Sequence, residues 1–458
     1  MFAYMRQKPG FYKQVAVLAA PIVMQNLITS ALGMADTFMV GMLGEAPMAA
    51  VTLANIPLFV VQLFIFGVQS GSSVLASQYW GRQELESINR VLGVALWVVL
   101  SVSTLFAVIL VVWPIQFLSL FGNEPEVIAL AAQYGGIAGV SYVCSAFTMM
   151  YVAAYRSMER PQLGMYILTV SMTLNTFLNW VLIFGNLGSP ALGVRGAALA
   201  TLTARVVEVV IVVVHMMKNH FFQVHLHLLL RPGMDMFRRF LRHGSLVVFN
   251  ETTWGLGASV FPTIMGHMAG STEILAAYTV AGNVDKICMV VSFGLGATAS
   301  VIIGREVGAG RPQQVREVGA VMCTLSLMCG VGVGLLLFLF AQFMAPAWVF
   351  PLFKMSARSA SIAVMMMTVQ AAVRPLRDFN SVAITGVLRG GGDVRMATII
   401  DTFPQWFIAI PTAIVLGSVL KLDILWVYLA MTLENIVKFA FGVRRIRSDS
   451  WIRDLTRT

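Results

Sequence analysis

Charge is what this sequence has least of. Only 11% of its 458 residues are Asp, Glu, Lys or Arg, where a soluble domain carries about 25%. Cysteine is scarce too. Cys144, Cys288, Cys323 and Cys329 all fall in apolar stretches. None has metal-ligand spacing with a neighbour, so a disulfide framework is not expected and the four read as packing residues. No P-loop, Ser-His-Asp signature or redox motif occurs, which argues against an enzyme, and any energy from ATP must come from another chain. His225-x-His227 lacks a Cys or a second motif, so neither a metal site nor a cofactor is expected. No basic patch with interleaved aromatics appears, so nucleic acid is not an expected partner.

What is present is apolar. Hydrophobic residues make up 58% of the chain. A soluble fold of this size could not hide that much apolar surface, so a lipid bilayer must cover it. A membrane helix needs about 20 apolar residues, and twelve such runs occur: 14–40, 50–77, 91–113, 129–154, 163–185, 194–216, 243–268, 275–303, 318–343, 361–386, 396–418 and 424–442. The first contains Pro21, Gln25, Asn26 and Asp36, too long and too polar for a cleavable signal, and reads as the first helix of the mature protein.

Lys and Arg orient these runs. With the N-terminus in the cytoplasm, 22 of the 31 fall on the cytoplasmic side, beginning with Arg6, Lys8 and Lys13. Four fall outside: Arg195, Lys354, Arg358 and Lys421. The positive-inside rule then predicts a multi-pass protein of the inner or plasma membrane with both termini cytoplasmic. The net charge of +10 has the same origin.

The two halves repeat. GVQSGSSVLASQYWGR (67–82) pairs with GLGATASVIIGREVGAGR (294–311), AAVT (49–52) with AAYT (276–279), and RSMERPQLGMYI (156–167) with RGGGDVRMATII (389–400). Three matches in order at nearly one offset indicate duplication. The predicted fold is an all-α integral membrane protein whose twelve transmembrane helices form two six-helix lobes. A pseudo-twofold axis along the membrane normal relates them. The expected boundaries are an N-lobe at 1–216, a cytoplasmic linker at 217–242, a C-lobe at 243–443 and a cytoplasmic tail at 444–458. Such a pair of lobes suits alternating access.

Ionisable groups within a bilayer cost roughly 2.5–3.5 kcal/mol each on insertion scales, so each needs a reason. Arg205 with Glu208, and Glu434 with Lys438, stand one turn apart and read as local pairs. Asp285 adjoins Lys286, and adjacent residues point different ways, so each needs its own partner or a watery cavity. Asp401 reads as interfacial. Glu251 and Asp378 stand out. Counted from Arg242 and Arg389 at about 1.5 Å per residue, both lie roughly 13–17 Å deep. Two acids at one depth in one lobe suit a shared cation or exchanged protons, with Asn250, Thr252 and Asn380 as added oxygen ligands. A bridge to Arg374 is the structural alternative for Asp378. Glu251 has no basic residue three or four positions away. Asp36, near the outer end of the first helix, reads equally as an interfacial acid or a cavity group. Pro21, Gln25 and Asn26 favour a kinked, hydrated, cavity-facing helix. The chain's 28 Met, Met365, Met366 and Met367 among them, read mainly as packing or lipid-facing residues.

Taken together, Pro21 leading to ADTFMVGMLG (35–44), SQYWGR and REVGAGR after the second helix of each half, LNWVLIFG (178–185), GLGATASVIIG (294–304) and DFNSVAITGVLRGGGD (378–393) resemble the multidrug and toxic compound extrusion transporters. The resemblance runs from about residue 12 to 443. It implies export of organic, often cationic, drug-like compounds against an inward flow of Na⁺ or H⁺, by a protein expected to be monomeric. By position, Glu251 and Asp378 match the C-lobe acids of NorM-like members, with Na⁺ as one ion they would hold. Asp36 matches the N-lobe acid, and Asn175 and Asn179 fall where helix five adds to that site. Some relatives carry Asp where this chain has Asn179, a departure that favours the C-lobe pair. Lys286, Arg374 and Arg377 lie outside the family pattern, with Asp285 beside them. They keep alive one alternative, a lipid-linked saccharide flippase of related fold. A non-transporting scaffold would leave the midplane acids unexplained.

Overall fold

The computed structural model describes residues 9–457 apart from Asn123, Phe353 and Lys354. Of the basic residues counted above, Arg6, Lys8 and Lys354 lie outside the described residues. In hydrocarbon every backbone N–H and C=O must be satisfied within the segment, which leaves helix as the form for single apolar spans. Twelve long helices result: α1 (Pro9–Gly41), α2 (Glu45–Gly81), α3 (Leu85–Val112), α4 (Pro125–Ser157), α5 (Gln162–Phe184), α6 (Val194–Lys218), α7 (Met234–Gly266), α8 (Ser271–Gly308), α9 (Pro312–Val349), α10 (Ala357–Leu388), α11 (Val394–Val419) and α12 (Ile424–Arg447). Eleven are long and apolar enough to cross a membrane by composition alone. The twelfth, α7, begins with the basic turns around Arg238, Arg239 and Arg242 and carries the polar run Asn250-Glu251-Thr252-Thr253. Those residues dilute its apolar content.

Several helices outrun the apolar stretches that announced them. α8 has 38 residues, about 57 Å at 1.5 Å per residue, against a hydrocarbon core of about 30 Å. Hydropathy marks the part lipid covers, while hydrogen bonding carries the helix on into water. α9, α10 and α11 contain π-helical turns, at Phe340–Val349, Val382–Leu388, Gln405–Ala409 and Val415–Val419. Pro346 lies inside the first of these segments and Pro411 two residues after the third. A proline removes one backbone donor and crowds the preceding turn, which favours such a register shift.

The chain divides into two compact units. Met24–Val248 is one; the described residues before Met24, together with those from Phe249 onward, are the other. Both cuts fall inside helices, in α1 just after Pro21 and in α7 just before Asn250. In the first unit α2 packs along α4, and α4 lies against α3 and α6. Ala50, Ala54, Leu58, Leu110 and Ala138 form its main apolar cluster.

In the second unit α10 is central, packing on α8, α9 and α12. Gly330 and Gly334 of α9 make this possible. A Cβ on Gly330 would lie 2.7 Å from Pro375 Cα, and one on Gly334 2.7 Å from Ala371 O. Small residues allow such close approach where no hydrophobic effect drives helices together. The segment after α12 folds back onto this unit. Trp451 is fully buried among Ile302, Val315, Val387 and Leu388, and its indole N–H donates to Ile446 O at 3.0 Å. The Arg453 N–H donates to Gly391 O at 2.7 Å. Gly392, with φ +91°, makes the turn that receives this strand-like contact, a conformation open to glycine at no steric cost.

Candidate functional site

α10 presents Arg374, Arg377 and Asp378 within little more than one turn. Arg374 is fully buried, and a buried cation requires partners. It has two. Its Nε lies 2.8 Å from Asp378 Oδ1, and its Nη1 donates to Asp285 Oδ1 of α8 at 2.9 Å. Arg377 Nη1 donates to the other oxygen, Asp285 Oδ2, at 2.7 Å. Two carboxylates and two guanidinium groups thus balance within one cluster. Asp285 needs no watery cavity, because arginines from α10 supply its partners. Lys286, its neighbour, is exposed and has no ion pair among the described residues.

Asp378 holds its partner by proximity more than by alignment. Among the described residues neither of its oxygens accepts a well-directed hydrogen bond, and the same holds for Oδ1 of buried Asn380. The Asn380 amide group is spent on Asn435 O at 2.8 Å. Buried oxygens without well-directed donors are uncommon in folded proteins, and here three sit two residues apart on one helix, with Arg374 and Ser292 as the nearby groups on Asp378.

Glu251 of α7 has no basic residue three or four positions away, and its partner comes from another helix. Arg389 Nη1 donates to Glu251 Oε1 at 2.6 Å, and Arg389 is itself buried. The sequence reading used Arg389 only to mark the end of α10. Each of the two predicted acids therefore sits against its own arginine.

Asn250, the residue before Glu251, donates to Asp401 Oδ2 of α11 at 3.0 Å and accepts from Thr402 at 2.8 Å. Asp401 pairs with Lys438 of α12 at 2.9 Å, and Lys438 reaches Glu434 at 3.4 Å. The Glu434–Lys438 contact matches its helical spacing. Asp401 is not merely interfacial, since it joins α7 to α12 through Asn250 and Lys438. Neither the Arg389–Glu251 pair nor the Lys438–Asp401 pair could be assigned from spacing along a single helix.

The other unit holds a smaller cluster. Asn179 Nδ2 of α5 donates to Asp36 Oδ1 of α1 at 2.5 Å. Asn175 lies one turn earlier on the same face. With its amide oriented to satisfy both ends, it donates to Asp36 Oδ1 at 3.1 Å and accepts from Thr201 Oγ1 at 3.3 Å. Asp36, Asn175 and Asn179, expected together by resemblance, are in contact, and Thr201 of α6 is an addition. Arg205 and Glu208 pair at 2.6 Å as spaced. Gln25, expected as a supporting site residue, is buried and its amide donates to Pro161 O at 2.9 Å. The histidine pair His225 and His227 has ring centroids 5.9 Å apart, and no group of three metal-ligating side chains occurs among the described residues.

The family model described as MatE matches residues 21–181 and 252–415, one segment in each half. Among curated relatives, the probable multidrug resistance protein YoeA of Bacillus subtilis is 26% identical over 92% of this chain and 90% of its own. The probable multidrug resistance protein NorM of Thermotoga maritima is 24% identical over 97% of this chain and 94% of its own. Among solved structures, a MOP superfamily transporter from Pyrococcus furiosus superposes with a TM-score of 0.84. It covers 98% of both chains at 19% identity, so that likeness concerns the fold.

Proposed function

Since the chain belongs to the MatE family of multidrug efflux transporters, we propose that it exports organic, often cationic, compounds in exchange for Na⁺ or H⁺ by alternating access. In this reading the chain acts as a monomer in the cell membrane with both termini cytoplasmic. The distribution of Lys and Arg, 22 inside against four outside, supports that orientation.

The observation that carries the proposal is the buried oxygen set at Asp378 and Asn380, which lacks directed donors among the described residues. A proton or a hard cation satisfies such oxygens. Arrival of either weakens the Asp378–Arg374 contact, so ion binding and side-chain rearrangement are linked. Glu251 works in the same way against Arg389. Asp36, with Asn175, Asn179 and Thr201, is the second coupling site. Ion and drug exchange if they favour different states of the transporter or compete for one of them.

The flippase alternative calls for a cavity lined by several basic groups, for which Lys286, Arg374 and Arg377 are the candidates. Arg374 and Arg377 are balanced by Asp285 and Asp378, and this balance beside the coupling acid favours drug export.

Reconstitution into proteoliposomes, with Na⁺ and pH gradients imposed separately, tests the proposal. Glu251→Gln and Asp378→Asn are expected to uncouple export from the gradient. Gradient-driven export that survives in both variants would falsify the carboxylate assignment.

A further inference from the structure

The second unit contains a large cavity on the same helices as these acids but at their other ends, opposite Arg242 and Arg389. It has a volume of about 1330 Å³ and lies between the end of α7, the start of α10, the end of α11 and the start of α12. Drug-sized sites are typically about 300–1,000 Å³, so this one has room for a larger ligand. Ile264, Ile362, Met365 and Ile414 give its lining apolar surface, Thr263, His267, Ser361 and Ser418 add polar groups, and Arg358 and Lys421 are its two basic side chains apart from the histidine.

These two cations are unusual. Only four Lys or Arg residues fall on the outer side of the chain, and two of them line this cavity. Neither has an ion pair among the described residues. Both are held in position. The Arg358 guanidinium packs over the turn between α7 and α8, where a Cβ on Gly270 would lie 3.1 Å from Nη2. Lys421 has φ +51°, costly for a long side chain. The turn around it is pinned by Leu420 N–H to Val415 O and Leu422 N–H to Leu416 O, each 2.9 Å. Asp423 is the one acid in the lining, and its carboxylate caps α12 by accepting from Leu425 N–H at 3.0 Å.

Part of the lining is exposed apolar surface of the kind lipid covers. Ile414 and Leu425 are 40% and 36% exposed, and Val419 and Leu420, between the lining residues Ser418 and Lys421 in sequence, are 68% and 56% exposed. An apolar wall open to lipid beneath a basic rim suits an amphiphile with a negative head. A cationic drug would meet like charge here.

We propose that this cavity binds an anionic phospholipid of the outer leaflet, its phosphate on Arg358 and Lys421 and its chains along Ile362, Met365 and Ile414. The site is formed by residues other than the ion-coupling acids; its leaflet rests on the proposed orientation of the chain, while its occupancy does not depend on what is transported.

Photocrosslinking tests it. The full chain is reconstituted with a diazirine-tailed phosphatidylglycerol, irradiated and mapped by peptide mass spectrometry. Crosslinks are expected in 358–365 and 414–425. They should fall several-fold in Arg358→Gln/Lys421→Gln and stay unchanged in Arg195→Gln, an outer arginine of the other unit. Unlabelled phosphatidylglycerol should compete and phosphatidylcholine should not. The proposal is overturned if these segments are unlabelled, if the double variant labels like the parent, or if phosphatidylcholine competes equally. Competition by millimolar inorganic phosphate as effective as by the lipid also overturns it, since the rim charges alone would then account for binding. Both substituted side chains are exposed, and exposed substitutions of this kind leave folding intact, so misfolding should not confuse the result.

Discussion

Arg389 and Glu251 meet at 2.6 Å although 138 residues separate them. The contact ties the end of α10 to α7 within one unit, and both side chains are buried. It changes what an ion must do at Glu251. A proton or Na⁺ does not arrive at a bare carboxylate; it competes with a guanidinium already in place.

Breaking that pair from the basic side should be costly. Arg389→Met leaves a buried carboxylate without its partner, a loss of about 3–5 kcal/mol. Thermal unfolding in detergent should show a clear fall for the single variant. Glu251→Gln/Arg389→Met should recover much of it. Equal destabilisation of single and double variants would mean that packing of the arginine stem, and not its charge, matters.

The smaller cluster gives a milder prediction. Asn179→Ala removes the closest donor to Asp36, and an unsatisfied buried polar group costs about 1–3 kcal/mol. Stability should drop within that range. Under the proposed function, export should change its dependence on the imposed pH or Na⁺ gradient more than its maximal rate. Unchanged gradient dependence would remove Asn179 from the coupling site.

Gly330 offers a steric test. An added Cβ would stand 2.7 Å from Pro375 Cα and 3.2 Å from Asp378 Cβ. Gly330→Ala should therefore push α10 off α9, at the roughly 1–3 kcal/mol typical of overpacking. Because the clash falls beside Asp378, export should suffer along with stability. Gly332→Ala, where an added Cβ meets nothing within 4 Å, is the control and should be close to neutral.

Trp451 should matter far more than its place near the end of the chain suggests. Truncating a buried Trp to Ala costs about 3–5 kcal/mol. Trp451→Ala should lower the unfolding temperature, and deletion of 448–458 should do the same. A tail with no role in packing would leave both unchanged, and limited proteolysis of the C-terminus would then be equally fast in parent and variant.

Much of this architecture was legible in the residues themselves. Twelve helices follow from twelve apolar runs, because lipid admits few other ways to satisfy a backbone. The pairs Arg205–Glu208 and Glu434–Lys438 follow from helical spacing, which sequence separation alone defines. The contact of Asp36 with Asn175 and Asn179 was expected from resemblance. What spacing could not supply were the partners that come from other helices. Arg389 looked like a membrane-edge marker and is the partner of Glu251. Asp401 looked interfacial and is held by Asn250 and Lys438. Asp285, grouped with Arg374 and Lys286 as possible charge partners, is held by Arg374 and Arg377 of α10 and not by its neighbour Lys286. Trp451 sat in a polar terminal stretch and is a core residue. The reason is the same in each case. Hydropathy and periodicity report what one segment offers its surroundings, whereas a buried charge or ring is satisfied by whichever distant segment the packing brings to it.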